Sequence, residues 1–113
     1  MERRVWVVEV KARVVGFAST GPARDEDLPI GAGELEAIYL AAELWSTGLG
    51  RPLFDRAVGD LRDRGFDPLI LWVLAGNVRG RRFYDAMGWR TDGSSFPIDF
   101  DGTPVEEVRY RSS

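Results

Sequence analysis

The run WSTGLGR, Trp45 to Arg51, sets two glycines one residue apart, directly after an apolar stretch and directly before a helix-like pattern. A Gly-x-Gly turn at a helix start bares main-chain N–H groups with no side chain in the way, and such a helix end favours an anion, typically a phosphate. Two familiar phosphate loops do not fit. A dinucleotide fingerprint counted from Gly48 needs a third small residue where the chain has Leu53. A Walker loop from the same glycine needs glycine, lysine and a hydroxyl residue where it has Leu53, Phe54 and Asp55.

Periodicity around the turn sets the frame. Val5–Val10 and Arg13–Ser19 are valine-rich strand candidates, and Lys11-Ala12 between them suggests a hairpin without the Gly or Asn that a tight turn prefers. The polar stretch Thr20 to Gly33 reads as a loop. Glu34 to Leu40 then alternates as a strand, with Glu34, Glu36, Ile38 and Leu40 expected on one face. Leu53, Phe54, Ala57, Val58 and Leu61 form a helical stripe over Pro52–Arg64, with Gly65 as its stop. Leu69–Leu74 is a continuous apolar run that fits a strand covered on both faces. Asn77 can cap a helix carrying Gly80, Phe83, Tyr84 and Met87 at i, i+3, i+4 and i+7. The segments Phe96–Phe100 and Val105–Arg111 flank the turn Asp101-Gly102 as two short strands. The order predicts one mixed α/β domain over residues 1–113, a mostly antiparallel sheet flanked by helices.

Composition removes whole classes of chemistry. The 113 residues contain neither Cys nor His, so a disulfide framework, a thiolate or imidazole metal site and a cysteine nucleophile are all excluded, and no metal is expected. Acid–base work must then fall to Asp, Glu, Tyr or Lys. A formal net charge of −3 gives no basic field for a nucleic acid, and no apolar run approaches the ~20 residues of a membrane span. A cytoplasmic location is the default expectation.

Three linked segments, GELEAIYLAAELW, STGLGRPLFDRAV and NVRGRRFYDAMGW, resemble the GNAT superfamily of acyl-CoA-dependent N-acyltransferases, and the similarity runs from Val5 to Arg111. The resemblance implies that Ser46, Thr47, Gly48, Leu49, Gly50 and Arg51 cradle the pyrophosphate of acetyl-CoA. It implies further that main-chain amides of Ile38, Tyr39 and Leu40 meet the pantetheine arm and polarise the thioester carbonyl. Glu34, fourteen residues before Gly48, matches a glutamate base of some members, and Glu36 is the alternative. Tyr84 matches the tyrosine that protonates the departing thiolate. Asn77 resembles a pantetheine-contacting asparagine, although a helix cap is equally physical. Arg79 and Arg82, with Arg81 between them, are candidates for the 3′-phosphate.

The chain departs from the pattern in three places. Trp45 stands where Arg or Gln is frequent, Ala42 where proline is frequent, and the strand and two helices that commonly open the family fold are not evident before Val5. Those helices usually wall the acceptor pocket, so the resemblance carries the cofactor site better than the acceptor, which stays unidentified. Two readings follow: an N-acetyltransferase acting on a primary amine by direct transfer, or a CoA-binding module without catalysis. In either, uncovered apolar surface predicts a homodimer.

Overall fold

The computed structural model describes residues 3–45 and 47–112. The elements appear in the expected order: β1 (Arg4–Val10), β2 (Arg13–Pro22), β3 (Gly33–Leu40), α1 (Gly50–Asp63), β4 (Leu69–Leu74), α2 (Val78–Ala86), β5 (Arg90–Phe100) and β6 (Thr103–Arg111). It is a mixed α/β chain with mostly antiparallel strands, and it divides into two compact units that part between Leu69 and Ile70.

In the first unit β1, β2 and β3 form an antiparallel ladder, with α1 packed on one face. The helical stripe Leu53, Phe54, Ala57, Val58 and Leu61 is buried, together with Ala18, Leu35 and Phe66. Each large side chain so covered contributes ~1.5–3 kcal/mol, and this stripe holds the helix against the strands. A charged cluster closes the far end of α1. Asp60 receives Arg4 at 2.6 Å and Arg64 at 3.0 Å, and Arg64 also donates to the buried Thr20 hydroxyl at 3.2 Å. Gly65, at φ +85°, ends the helix as expected.

A β-bulge in β3 overturns the expected grouping of its side chains. Thr20 lies opposite Leu35 and Ser19 opposite Ala37, so Glu36 is an extra residue in the ladder. Residues directly opposite share a face. Leu35, Ile38 and Leu40 therefore join Thr20, Ala18 and Gly16 on the helix-covered face, whereas Glu34, Ala37 and Tyr39 join Gly21, Ser19 and Phe17 on the open one. Glu34 and Glu36 do not share a face with Ile38 and Leu40, because the bulge resets the two-residue alternation between them.

In the second unit β6 pairs antiparallel with both β4 and β5. β4 has its predicted bounds. β5 begins six residues earlier than expected, and what hides its start in the sequence is again a bulge. Thr91 faces Tyr110 and Ser95 faces Val108, so Asp92, Gly93 and Ser94 bow out, with Gly93 at φ +88°. Asp92 there accepts from the buried Arg109 at 2.7 Å. Burial alone would raise the Asp92 pKa, but the bonds from Ser94 and Arg109 outweigh it and hold the carboxyl below its ordinary value. Two smaller corrections concern the first unit: β2 runs on to Pro22, which shortens the expected loop, and α1 begins at Gly50 rather than Pro52.

The hairpin turn forms although its residues disfavour it. Lys11 and Ala12 both have positive φ, +50° and +63°, because the pairing of Val10 with Arg13 leaves only two residues to reverse the chain. Each non-glycine residue there costs roughly 1–2 kcal/mol. Replacing Lys11→Asn together with Ala12→Gly is expected to stabilise the protein by about 1 kcal/mol, a rise in melting temperature of roughly 4 °C. An unchanged or lower melting temperature would count against strain in this turn.

Candidate active site

The glycine turn sits where β3 hands over to α1. After a 3₁₀ turn at Ala42–Leu44, the Trp45 indole N–H donates to the Leu40 carbonyl at 2.8 Å, tying the loop back to the end of β3. The residue that departs from the expected Arg or Gln thus has a structural task. Thr47 bonds back along the loop: its amide donates to Leu44 O at 3.2 Å, and its hydroxyl donates to the same oxygen. Gly48 adopts φ +89°, with open space where a Cβ would stand, so the backbone there can be approached closely. Ser46 lies outside the described residues.

The start of α1 is built to meet negative charge. Leu49 occupies the N-cap with no side-chain cap, the first turn carries no acidic residue, and Pro52 removes one donor, leaving the amides of Gly50 and Arg51 at the positive end of the helix dipole. The Arg51 side chain is exposed and only loosely paired with Asp55, at 3.8 Å. A phosphate group fits this arrangement of bare amides, an unfilled glycine cradle and an uncompensated dipole.

On the open face of the ladder, Glu34 is half-buried opposite Gly21. Glu36 accepts from the Ser19 hydroxyl at 3.0 Å and from Arg3 Nε at 2.8 Å, and its side chain is 17% exposed. The structure therefore brings the two candidate carboxylates onto one face and adds Ser19 and Arg3, which sequence reasoning missed. Ser19 had a legible signal in the alternation of β2, but its pairing with Glu36 depends on the bulge. The side chains of Ile38 and Leu40 lie on the opposite face, and Tyr39 is exposed beside Phe17, with ring centroids 5.9 Å apart.

In the second unit, Asn77 caps α2 by accepting from the Gly80 amide at 2.9 Å, the structural role weighed for it. A Cβ on Gly80 would stand 2.6 Å from the Asn77 side-chain nitrogen, so the glycine makes room for the cap. Arg79 and Arg82 are exposed, whereas Arg81 points inward, donating to the Tyr110 hydroxyl at 3.2 Å and to Ala75 O at 3.0 Å. Tyr84 is buried against Tyr110 and Phe83, at 5.8 and 5.7 Å between centroids, and burial pushes its phenol up to about 12. It keeps its proton throughout the neutral range. Among the described residues no cluster of carboxylates could hold a metal ion, and no helix is long and apolar enough to cross a membrane.

A strand running into a glycine turn, an acid-free helix end, and carboxylates on the strand's open face together make up a candidate site for an anionic cofactor on a mixed α/β fold. The chain belongs to the acetyltransferase (GNAT) family, whose family model matches residues 1–89. It is 42% identical over 67 residues to YuaI of Bacillus subtilis (strain 168), an uncharacterised N-acetyltransferase, a match covering 59% of this chain and 38% of the relative. It is 33% identical over 93 residues to the mycothiol acetyltransferase of Thermobispora bispora, covering 77% of this chain and 31% of that protein. The chain thus spans about two fifths or less of the length of these relatives. Among solved structures, the ribosomal-protein-alanine N-acetyltransferase of Brucella melitensis is similar with a TM-score of 0.83 and 26% identity, over 96% of this chain and 67% of that one. The fold of yncA from Salmonella typhimurium, solved with its cofactor acetyl-CoA, matches with a TM-score of 0.80 and 23% identity, over 95% of this chain and 62% of that one.

The raised Tyr84 pKa has a measurable consequence. An unfolded chain releases the phenolic proton near pH 10 and the folded one near 12, so the folded state loses stability as pH rises between these values. Melting temperatures from pH 9 to 12 are expected to fall more steeply for wild type than for Tyr84→Phe. Parallel curves would show that Tyr84 is not the buried phenol described.

Proposed function

We propose that this chain transfers an acetyl group from acetyl-CoA to a primary amine by direct attack within one ternary complex. The observation that carries the reading is the Gly48 turn opening onto the acid-free N-terminus of α1, in a chain of the GNAT family. When bound, acetyl-CoA supplies the thioester, and the C–N bond forms as the C–S bond breaks. The main-chain donors of Gly48, Leu49, Gly50 and Arg51 are assigned to the pyrophosphate, with Ser46 and Thr47 completing the loop. The amides of Ile38, Tyr39 and Leu40 are assigned to the pantetheine arm and to the carbonyl, which gathers negative charge as the amine attacks.

An alkyl ammonium has a solution pKa near 10.4, so a base must take its proton before the nitrogen can attack. Glu34 and Glu36 are the candidates, and their shared open face supports that role. Tyr84 is proposed as the donor to the departing thiolate because its place on α2 matches the family's tyrosine. Asn77, whose side-chain oxygen is engaged in the cap, keeps its amide N–H groups for a ligand. Arg79 and Arg82 are assigned to the 3′-phosphate on their exposure. We also read residues 1–113 as one domain, since the family match runs through both units, and as a homodimer assembled through the β1 edge of the first ladder.

Cofactor binding and chemistry are tested separately. A ligand that binds only the folded state adds about 2.7 kcal/mol at a hundredfold excess over Kd, so CoA should raise the melting temperature, and Gly50→Val should abolish the rise. An equal rise in that variant would sink the phosphate-loop assignment. For the chemistry, thiol release from acetyl-CoA is followed across a panel of primary amines. Tyr84→Phe keeps the packed ring and loses only the hydroxyl, so turnover should fall roughly 10²-fold while CoA binding persists. Unchanged turnover would remove Tyr84 from the mechanism.

A further inference from the structure

Few side chains hold α2 to its unit. Among its described residues Tyr84 is the one that is buried, and Phe83 beside it is half-buried. A helix this short is marginal alone and takes its stability from packing. A single buried ring acts as a pivot: it fixes where the helix touches the sheet, but not how the helix is rolled about that contact. The Asn77 side chain caps the helix's own amide at Gly80 and ties nothing to β6.

Arg81 supplies the second point of attachment. It stands one turn before Tyr84, at the three-residue spacing that puts both on one helix face. Its Nε donates to the Tyr110 hydroxyl at 3.2 Å and its Nη1 to Ala75 O at 3.0 Å. Both acceptors are fixed to the strands. Tyr110 is fully buried on β6, between Leu71 of β4 and Thr91 of β5, and the Ala75 amide donates to Glu106 O of β6 at 2.8 Å. The Tyr110 ring also packs against Tyr84, at 5.8 Å between centroids. Tyr110 thus meets α2 at two successive turns, with its ring at Tyr84 and its hydroxyl at Arg81.

The chemistry of this contact serves position rather than charge. The guanidinium bonds two neutral oxygens, a phenol and a carbonyl, while Asp85 acts on it at longer range. A planar fork holds two acceptors in one fixed relation, which a single ammonium group does not. Burial, not the neighbouring cation, is what raises the Tyr84 phenol.

We propose that Arg81 is a positioning residue for the reaction: by joining the Tyr110 hydroxyl to the Ala75 carbonyl it fixes the roll of α2 about the Tyr84 ring, and so sets where the Tyr84 hydroxyl stands. The proposal rests on the reading of Tyr84 as proton donor given above.

The experiment compares wild type with Arg81→Met, Arg81→Lys and Tyr110→Phe, each alone and combined with Tyr84→Phe. Tyr84 is titrated by tyrosinate absorbance, as the difference between each protein and its Tyr84→Phe counterpart, just after a pH jump so that folded protein is read. Wild type is expected to titrate near 12, and all three variants lower, because a helix free to roll lets water reach the hydroxyl. Loss of a positive charge alone would instead raise the value in Arg81→Met and leave it in Arg81→Lys. In thiol release with an accepted amine, each variant is expected to lose roughly tenfold in kcat, with KM for acetyl-CoA within about twofold. The Tyr84→Phe background should show no further loss, since the variants act through the hydroxyl it lacks. The same loss repeated in that background would overturn the inference and leave acetyl transfer standing. A Tyr84 titration unmoved in all three variants, or raised in Arg81→Met alone, would overturn it too. Turnover in Tyr84→Phe equal to wild type would sink the proton-donor reading, and a lowered titration in the variants would still support Arg81 as what fixes Tyr84. With no amine turned over, the titration decides alone. Tyr110→Phe keeps the packed ring and carries both readouts should Arg81→Met fail to fold.

Discussion

One extra residue in β3 decides what each face of the first unit can do. The ladder opposes Leu35 to Thr20 and Ala37 to Ser19, and Glu36, between them, has to be accommodated by a local twist. Before the bulge, the core position on β3 is Leu35. After it, the core positions are Ile38 and Leu40, and the alternation has changed phase. Without that shift an unbroken alternation would turn Ile38 and Leu40 toward the same face as Glu34, and either the hydrophobic contacts with α1 or the placement of the carboxylates would be lost. The bulge allows one short strand to carry a core edge and two acidic groups at once.

The same economy holds at the handover from β3 to α1. The Trp45 indole fixes the loop to the Leu40 carbonyl, Thr47 closes on Leu44, and only then does Gly48 enter the left-handed region that turns the chain into the helix. These contacts hold the backbone of the turn while leaving the helix end without a compensating carboxylate. A helix N-terminus left in this state carries fractional positive charge that solvent or an anion must balance. In the proposed reaction the pyrophosphate is assigned to main-chain groups at this point, so what the loop's side chains, Trp45 included, contribute is the backbone path.

In the second unit aromatic packing and buried charge determine protonation. Tyr84 lies against Tyr110, whose hydroxyl is held by Arg81, and the apolar surroundings of Tyr84 keep its phenol neutral. Arg109 is almost fully covered, above the Trp72 ring, and its charge is met by Asp92 from the β5 bulge. An unmatched guanidinium in that position would be strongly destabilising, which explains why β5 bows out rather than running straight past β6.

Periodicity alone determined the order of strands and helices, the buried stripe of α1, the bounds of β4, the cap at Asn77 and the stop at Gly65, because each follows from neighbours within a few positions along the chain. The glycine turn was equally local, and so was the exclusion of thiol and imidazole chemistry by composition. What only the tertiary structure decided are the bulges in β3 and β5, since an extra residue in a ladder is defined by the partner strand and leaves no mark on the residue itself. Glu36 reads in sequence as one more alternating position, and its meeting with Ser19 and Arg3 depends on register across three strands. The length of β5 was hidden for the same reason: the bow at Asp92, Gly93 and Ser94 is defined only against β6, where the buried Arg109 meets Asp92.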